Sequence, residues 1–211
     1  ERGLFADDAL SSSMFRAEAS LRQGRYDEAM TAASADENPY LAFARARAGY
    51  ALTGDRRAVA TDLSHALRGP KALAGEAWLF RARLALDAND FASAEAAARR
   101  AAEAGVAPER VQLIGIEKSV RADDLEGAAR QLDARGKRRG VAVDPQDFRL
   151  AAMIKLRAGD AAAAVRLIDR SSGAADNDRG RLLAALAKHL AGDHAQSWSL
   201  ATSHLAAAPV D

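Results

Sequence analysis

Few side chains in this chain could support catalysis or metal binding, and their spacing points away from both. Four histidines are present. His189 and His194 flank a turn signal at Gly192-Asp193, so they lack the one-turn spacing that brings two helical imidazoles to one metal. His65 and His204 stand alone, with no carboxylate or imidazole cluster to complete a coordination shell. The absence of cysteine removes thiol catalysis, disulfides and thiolate-bound metal. No glycine-rich phosphate loop or nucleophile elbow occurs. The acid pairs Asp7-Asp8 and Asp123-Asp124 fall where helices should begin, and carboxylates there satisfy free backbone N–H groups. These residues predict no catalytic site, no metal and no cofactor.

The densest charge run is Arg135-Gly136-Lys137-Arg138-Arg139-Gly140, read as the longest connecting loop. It is either a contact for an anionic partner or a solvated loop. No aromatic side chain stands near it to stack on bases. The whole chain balances 30 basic against 29 acidic residues, for a net charge of +1. Nucleic acid is therefore not the expected partner.

The elements that must position any site read as helices. Apolar residues make up 49% of the chain but aromatics only 5%, and alanine, the best helix former, fills the difference. No segment alternates β-branched or aromatic residues with polar ones, so no strand is predicted. One short pattern recurs, a helix end, a small or polar turn residue, then a second helix with a small residue five places on. Its turn residues are Gly24, Gly54, Asn89, Asp123, Gly159 and Gly192, at intervals of 30, 35, 34, 36 and 33 residues. Gly, Asn or Asp there can take the left-handed conformation that ends a helix. The carboxylate that follows suits the N-terminus of the next helix.

Five residues beyond the turn come Ala29, Ala94, Ala128 and Ala164, small enough to let paired helices approach closely. Four further on, Ala33, Leu63, Ala98, Leu132, Ile168 and Ala201 continue one apolar stripe. Pro39, Pro108 and Pro145 sit where first helices should start. Gly69-Pro70, Ser171-Ser172-Gly173 and Pro209 mark the remaining boundaries.

With these features the chain resembles the tetratricopeptide repeat family, most closely at Gly24 to Ala29 and Asn89 to Ala94. Arg56, Ala161 and His194 replace the family's aromatic after the turn, so the resemblance is to a divergent, alanine-rich bacterial form. It implies an all-α, right-handed superhelical solenoid of about six helix–turn–helix repeats and about twelve helices. The repeats would span about 10–38, 39–69, 71–106, 108–143, 144–174 and 176–208, with 1–9 as a flanking segment. It further implies a non-catalytic scaffold that binds a protein or peptide in a concave groove lined by the first helix of each repeat.

On that reading two positions per first helix face the groove. Six residues before each turn stand Glu18, Ala48, Arg83, Glu117, Met153 and Leu186; two before it stand Arg22, Leu52, Asp87, Arg121, Arg157 and Leu190. The groove candidates are Glu18, Arg22, Arg83, Asp87, Glu117, Arg121, Met153 and Arg157. Glu18–Arg22, Arg83–Asp87 and Glu117–Arg121 are one turn apart and should form exposed pairs worth about 0.3–0.5 kcal/mol each. Family members that clamp chaperone C-terminal carboxylates use a Lys/Asn/Arg constellation, which Met14, Glu18 and a lone Arg45 do not reproduce.

The wider setting stays open. An assembly in the bacterial cell envelope or a secretion system fits, as does an accessory domain of a larger enzyme or a nucleic-acid binder using the 135–139 loop. No apolar run approaches the roughly 18 residues of a membrane span, and Glu1 to Phe5 has no signal-like apolar core. Cytoplasm and periplasm both fit. At the C-terminal end Trp198, Ala201 and Leu205 share a stripe that should be core, with Gln196, Ser199 and Ser203 as a polar cap. Alternatively Leu200 stays exposed and the end docks a partner or a second copy, giving a homodimer through the last repeat.

Overall fold

A computed structural model describes residues 2–34, 38–137, 145–170 and 178–207. Among them are twelve α-helices and no strand. These are α1 (Arg2–Arg22), α2 (Tyr26–Ala33), α3 (Pro39–Thr53), α4 (Ala60–Ala66), α5 (Lys71–Asp87) and α6 (Phe91–Glu103). There follow α7 (Pro108–Arg121), α8 (Leu125–Gly136), α9 (Pro145–Arg157), α10 (Ala161–Arg170), α11 (Asp178–Leu190) and α12 (His194–Ala207). The chain forms two compact units, Glu1–Val111 and Gln112–Asp211. Within them consecutive helices pack in pairs, odd with even.

The turns inside the pairs are built from one recurring device. Gly24, Gly54, Asn89, Asp123, Gly159 and Gly192 all have positive φ, between 57° and 88°. Asn89 and Asp123 reach this region without being glycine because their short polar side chains tolerate it. At five of these turns the next residue donates its N–H to the carbonyl five back, closing the helix. The bonds run from Arg25 to Ser20, Asp90 to Ala85, Asp124 to Ser119, Asp160 to Lys155 and Asp193 to Lys188, each 2.9 Å. This 6→1 bond and the left-handed residue before it define a Schellman end. Four of those five residues then cap the following helix with their carboxylates. Asp90 accepts from Ser93 N at 3.1 Å, Asp124 from Gly127 N at 2.8 Å, Asp160 from Ala163 N at 3.0 Å and Asp193 from Gln196 N at 3.2 Å.

The turn at Gly54 departs from this plan. Asp55 gives its N–H to Thr53 Oγ1 and spends its carboxylate on Arg57 N, two residues on. The second helix, expected to follow Asp55 directly, therefore starts only at Ala60 and spans seven residues.

Alanine makes the core. Ala29, Ala33, Ala94, Ala128 and Ala164 are fully buried, and Leu63 and Ile168 nearly so. In the first unit Ala17, Leu21, Leu41, Ala44 and Ala48 close around Ala29 and Ala33. Phe43, Tyr50 and Phe80 supply the larger volume beside Val59 and Leu63, with both ring pairs edge-to-face at 6.0 Å. In the second unit Leu113, Ile116, Val120, Leu150 and Ile154 pack around Ala128. Pro39, Pro108 and Pro145 are the first residues of their helices, and Asn38 caps α3 by accepting from Tyr40 N at 2.8 Å.

Three expectations need correction. The helix α1 begins at Arg2, so Asp7-Asp8 lies inside α1 rather than at a helix start. Arg135 and Gly136 belong to α8, not to a loop. Trp198 is 72% exposed rather than core. The inward stripe of α12 instead runs through Ser197, Leu200 and Ala201, about 100° round the helix from Trp198. Leu200 is accordingly half-buried against Ala152, Ala164, Ile168, Ala184 and Ala187. Arg138-Arg139-Gly140, Ser171-Ser172-Gly173 and Pro209 lie outside the described residues, as do the side chains of Ser203 and Leu205.

Two outcomes follow. Ala94→Leu and Ala128→Leu should each lower stability by about 1–3 kcal/mol through overpacking, while Ala92→Leu on the exposed face of α6 should not; thermal melts followed by circular dichroism measure this. The second concerns acid. Hydrogen bonds from the Ser93 side chain and then its backbone hold the Asp90 carboxyl below its ordinary 3.8. A depressed folded-state pKa contributes stability that is complete above the unfolded value and lost as pH falls through the folded one. Asp90→Asn keeps the cap without the titration, so melting temperature should fall less steeply in that variant than in the wild type below pH 3.8.

Candidate functional site

The odd-numbered helices carry the groove candidates. On α1, Glu18 accepts from Arg22 at 3.2 Å and from Arg47 of α3 at 2.8 Å. On α5, Arg83 and Asp87 are half-buried one turn apart, and Asp87 accepts the Tyr50 hydroxyl of α3 at 2.7 Å. On α7, Glu117 and Arg121 pair at 3.0 Å. They do not form the exposed pair that their spacing predicts. Glu117 is only 9% exposed, because α7 is buried over much of its circumference through Leu113, Ile114, Ile116 and Val120. On α9, Met153 is half-buried against the Leu113–Ile116–Val120 core, and Arg157 is exposed, bridged to Asp123 at 3.3 Å.

A pattern absent from the individual helices emerges between them. Glu76 on α5 takes both arms of the Arg110 guanidinium on α7, one of them at 2.7 Å. With Glu18–Arg47, Asp87–Tyr50 and Asp123–Arg157, four polar contacts tie a first helix or its turn to the first helix of a neighbouring pair. Their sequence separations are 29, 37, 34 and 34 residues, close to the repeat interval. Counted back from their turns, Glu76 and Arg110 hold the same rank, and the partners in the other three contacts differ by one or two positions. The repeat spacing alone could have signalled Glu76–Arg110, since both stand thirteen residues before their turns.

A second class of contact is covered. Arg45 reaches back to the Ala33 carbonyl at 2.7 Å, where α2 ends, and holds Asp62 of α4 at 2.8 Å. Arg135, 3% exposed, bonds Asp147 of α9 at 2.8 Å. Neither separation has a meaning along one helix, so sequence spacing gave no signal for them.

In the sixth pair the two candidate positions hold Leu186 and Leu190, 50% and 57% exposed, with Leu182 one turn earlier at 48%; the second pair is also apolar there, but its Ala48 is buried. Beyond these leucines the turn brings His189 and His194 together, Nδ1 to Nδ1 at 3.2 Å, as an imidazole pair in which one ring donates to the other. Among the described residues no group of three or more His, Asp or Glu side chains converges on a point that could hold a metal. Nor is any described helix long and apolar enough to cross a membrane.

No protein-family model, functionally characterised protein or solved structure matches this chain.

The difference in burial sets an order of cost. Asp147→Ala removes a carboxylate from the buried Arg135 guanidinium, a loss of up to about 3–5 kcal/mol. Asp123→Ala removes an exposed partner and should cost under about 1 kcal/mol. Chemical denaturation of both variants checks the ranking, which similar midpoints would overturn.

Proposed function

We propose that this chain is a tetratricopeptide-like interaction scaffold, a right-handed solenoid of six helix pairs that binds a protein segment along its first helices and catalyses nothing. The observation carrying this reading is the set of polar contacts that recur at the repeat interval between neighbouring first helices. They bring residues of similar rank on neighbouring first helices close together, which supports a reading in which exposed side chains of successive pairs form rows suited to an extended or helical segment. Arg22, Arg83, Asp87 and Arg157 supply its charged positions, while Glu117, Arg121 and Met153 mainly support them. An envelope or secretion assembly is the setting we favour on sequence resemblance alone. Recognition of nucleic acid is disfavoured, because Arg135 is committed to Asp147 and Lys137 bridges Asp133 on its own helix.

The test uses tagged chain to capture partners from a lysate of the source organism, identified by mass spectrometry. Arg83→Glu and Arg157→Glu together should reduce recovery of the main captured protein at least about tenfold, with helicity unchanged. If recovery survives those reversals and is abolished by Arg99→Glu and Arg130→Glu, exposed on the second helices α6 and α8, the groove reading fails.

A further inference from the structure

Leu182, Leu186 and Leu190 follow one another at four-residue steps, so they form a single ridge on α11, about 12 Å from end to end. Each is about half exposed. The helix does not need them for its own packing, since Ala184, Ala185 and Ala187 are the residues it buries. Single exposed leucines are ordinary on protein surfaces. Three aligned on one helix form a patch, and two occupy positions that hold charges on α1, α5 and α7.

The surroundings of the ridge are basic. The neighbouring first helix α9 packs against α11. Together the two helices carry Arg149, Lys155, Arg157 and Arg181 against Asp147, while Lys188 is mostly covered and bridges Asp169 of α10. Asp147 is already committed to Arg135. Arg157 holds Asp123 in a bridge exposed at both ends, weak and readily exchanged for another carboxylate.

We propose that this ridge docks an amphipathic helix of a partner protein, one with an apolar stripe flanked by acidic residues. The inference rests on the groove reading and names its ligand class. A ridge at four-residue steps fits between the ridges of a second helix, and apolar anchors at i, i+3, i+4 and i+7 are how such a helix lies in a groove. A second copy of this chain is a poorer occupant. Two copies would bring the same basic flanks together, and three half-exposed leucines fall well short of the roughly 800 Å² per partner of a standard interface.

The experiment is fluorescence anisotropy on the full chain with two labelled probe peptides. Both carry leucines at helical spacing, one with glutamate flanks and the other with lysine flanks. The glutamate peptide should bind saturably, and the lysine peptide at least about tenfold more weakly. Leu186→Glu and Leu190→Glu should each weaken the glutamate peptide about tenfold or more, and Leu186→Ala should weaken it less, all with unchanged melting. Arg157→Glu should narrow the preference between the peptides, an effect that misfolding would not mimic. No saturable binding, indifference to the leucine variants, or equal affinity for both peptides would overturn the proposal. So would a concentration-dependent dimer, seen by sedimentation, that Leu186→Glu abolishes, since the ridge would then serve self-association. If the lysate capture ignores Arg83 and Arg157 while the probe still obeys the leucines, the groove reading fails and the ridge stands.

Discussion

A helix leaves its last carbonyls and its first N–H groups without partners, and in this chain a single residue answers both needs. Asp90, Asp124, Asp160 and Asp193 each close the preceding helix with their backbone N–H and open the next with their carboxylate. The left-handed residue just before sets the direction in which the chain reverses. With that direction set, the alanine five residues past the turn meets the first helix of its own pair, and a core of methyl groups becomes possible. The turn at Gly54 shows the dependence from the other side. Its aspartate is diverted to Arg57, and the helix that follows is the shortest described.

Pairing within a hairpin leaves open how one pair sits on the next. Here burial decides what a polar contact contributes. The contacts at Glu18, Glu76 and Asp123 are partly wet and individually weak, so they align neighbours more than they bind them. The covered arginines act differently. Arg45 satisfies a carbonyl that α2 leaves free at its end, and Arg135 keeps its guanidinium dry against Asp147. A pair set at the wrong height would leave either charge buried without a partner, which is a far larger cost than losing a surface bridge.

The turns were legible in the sequence because few residues tolerate positive φ, and the six at the turns inside the pairs recur at nearly constant spacing. The all-helical class followed from alanine content for a similar reason: one residue type dominates and favours one backbone state. What could not be read was rotation about a helix axis. Both Trp198 and Leu200 lie on apolar stripes of α12, and only contact with α11 selects the one through Leu200. Arg135-Gly136 looked like loop because glycine beside clustered charge usually ends a helix; the buried bond to Asp147 offers a reason for α8 to continue. For the candidate site, rank relative to the turn located the positions. It did not reveal that Glu117 and Met153 are covered, since that depends on how neighbouring helices pack.

The bidentate contact between Glu76 and Arg110 joins residues of equal rank, thirteen before their turns. Such a bond depends on the register of α5 and α7 and not on the length of chain before or after them. A one-residue insertion within α5 would instead rotate everything beyond it by roughly 100° relative to what came before, and would separate the two. Change in length is thus constrained inside the two helices that this contact joins, while the connections between helices can absorb single residues.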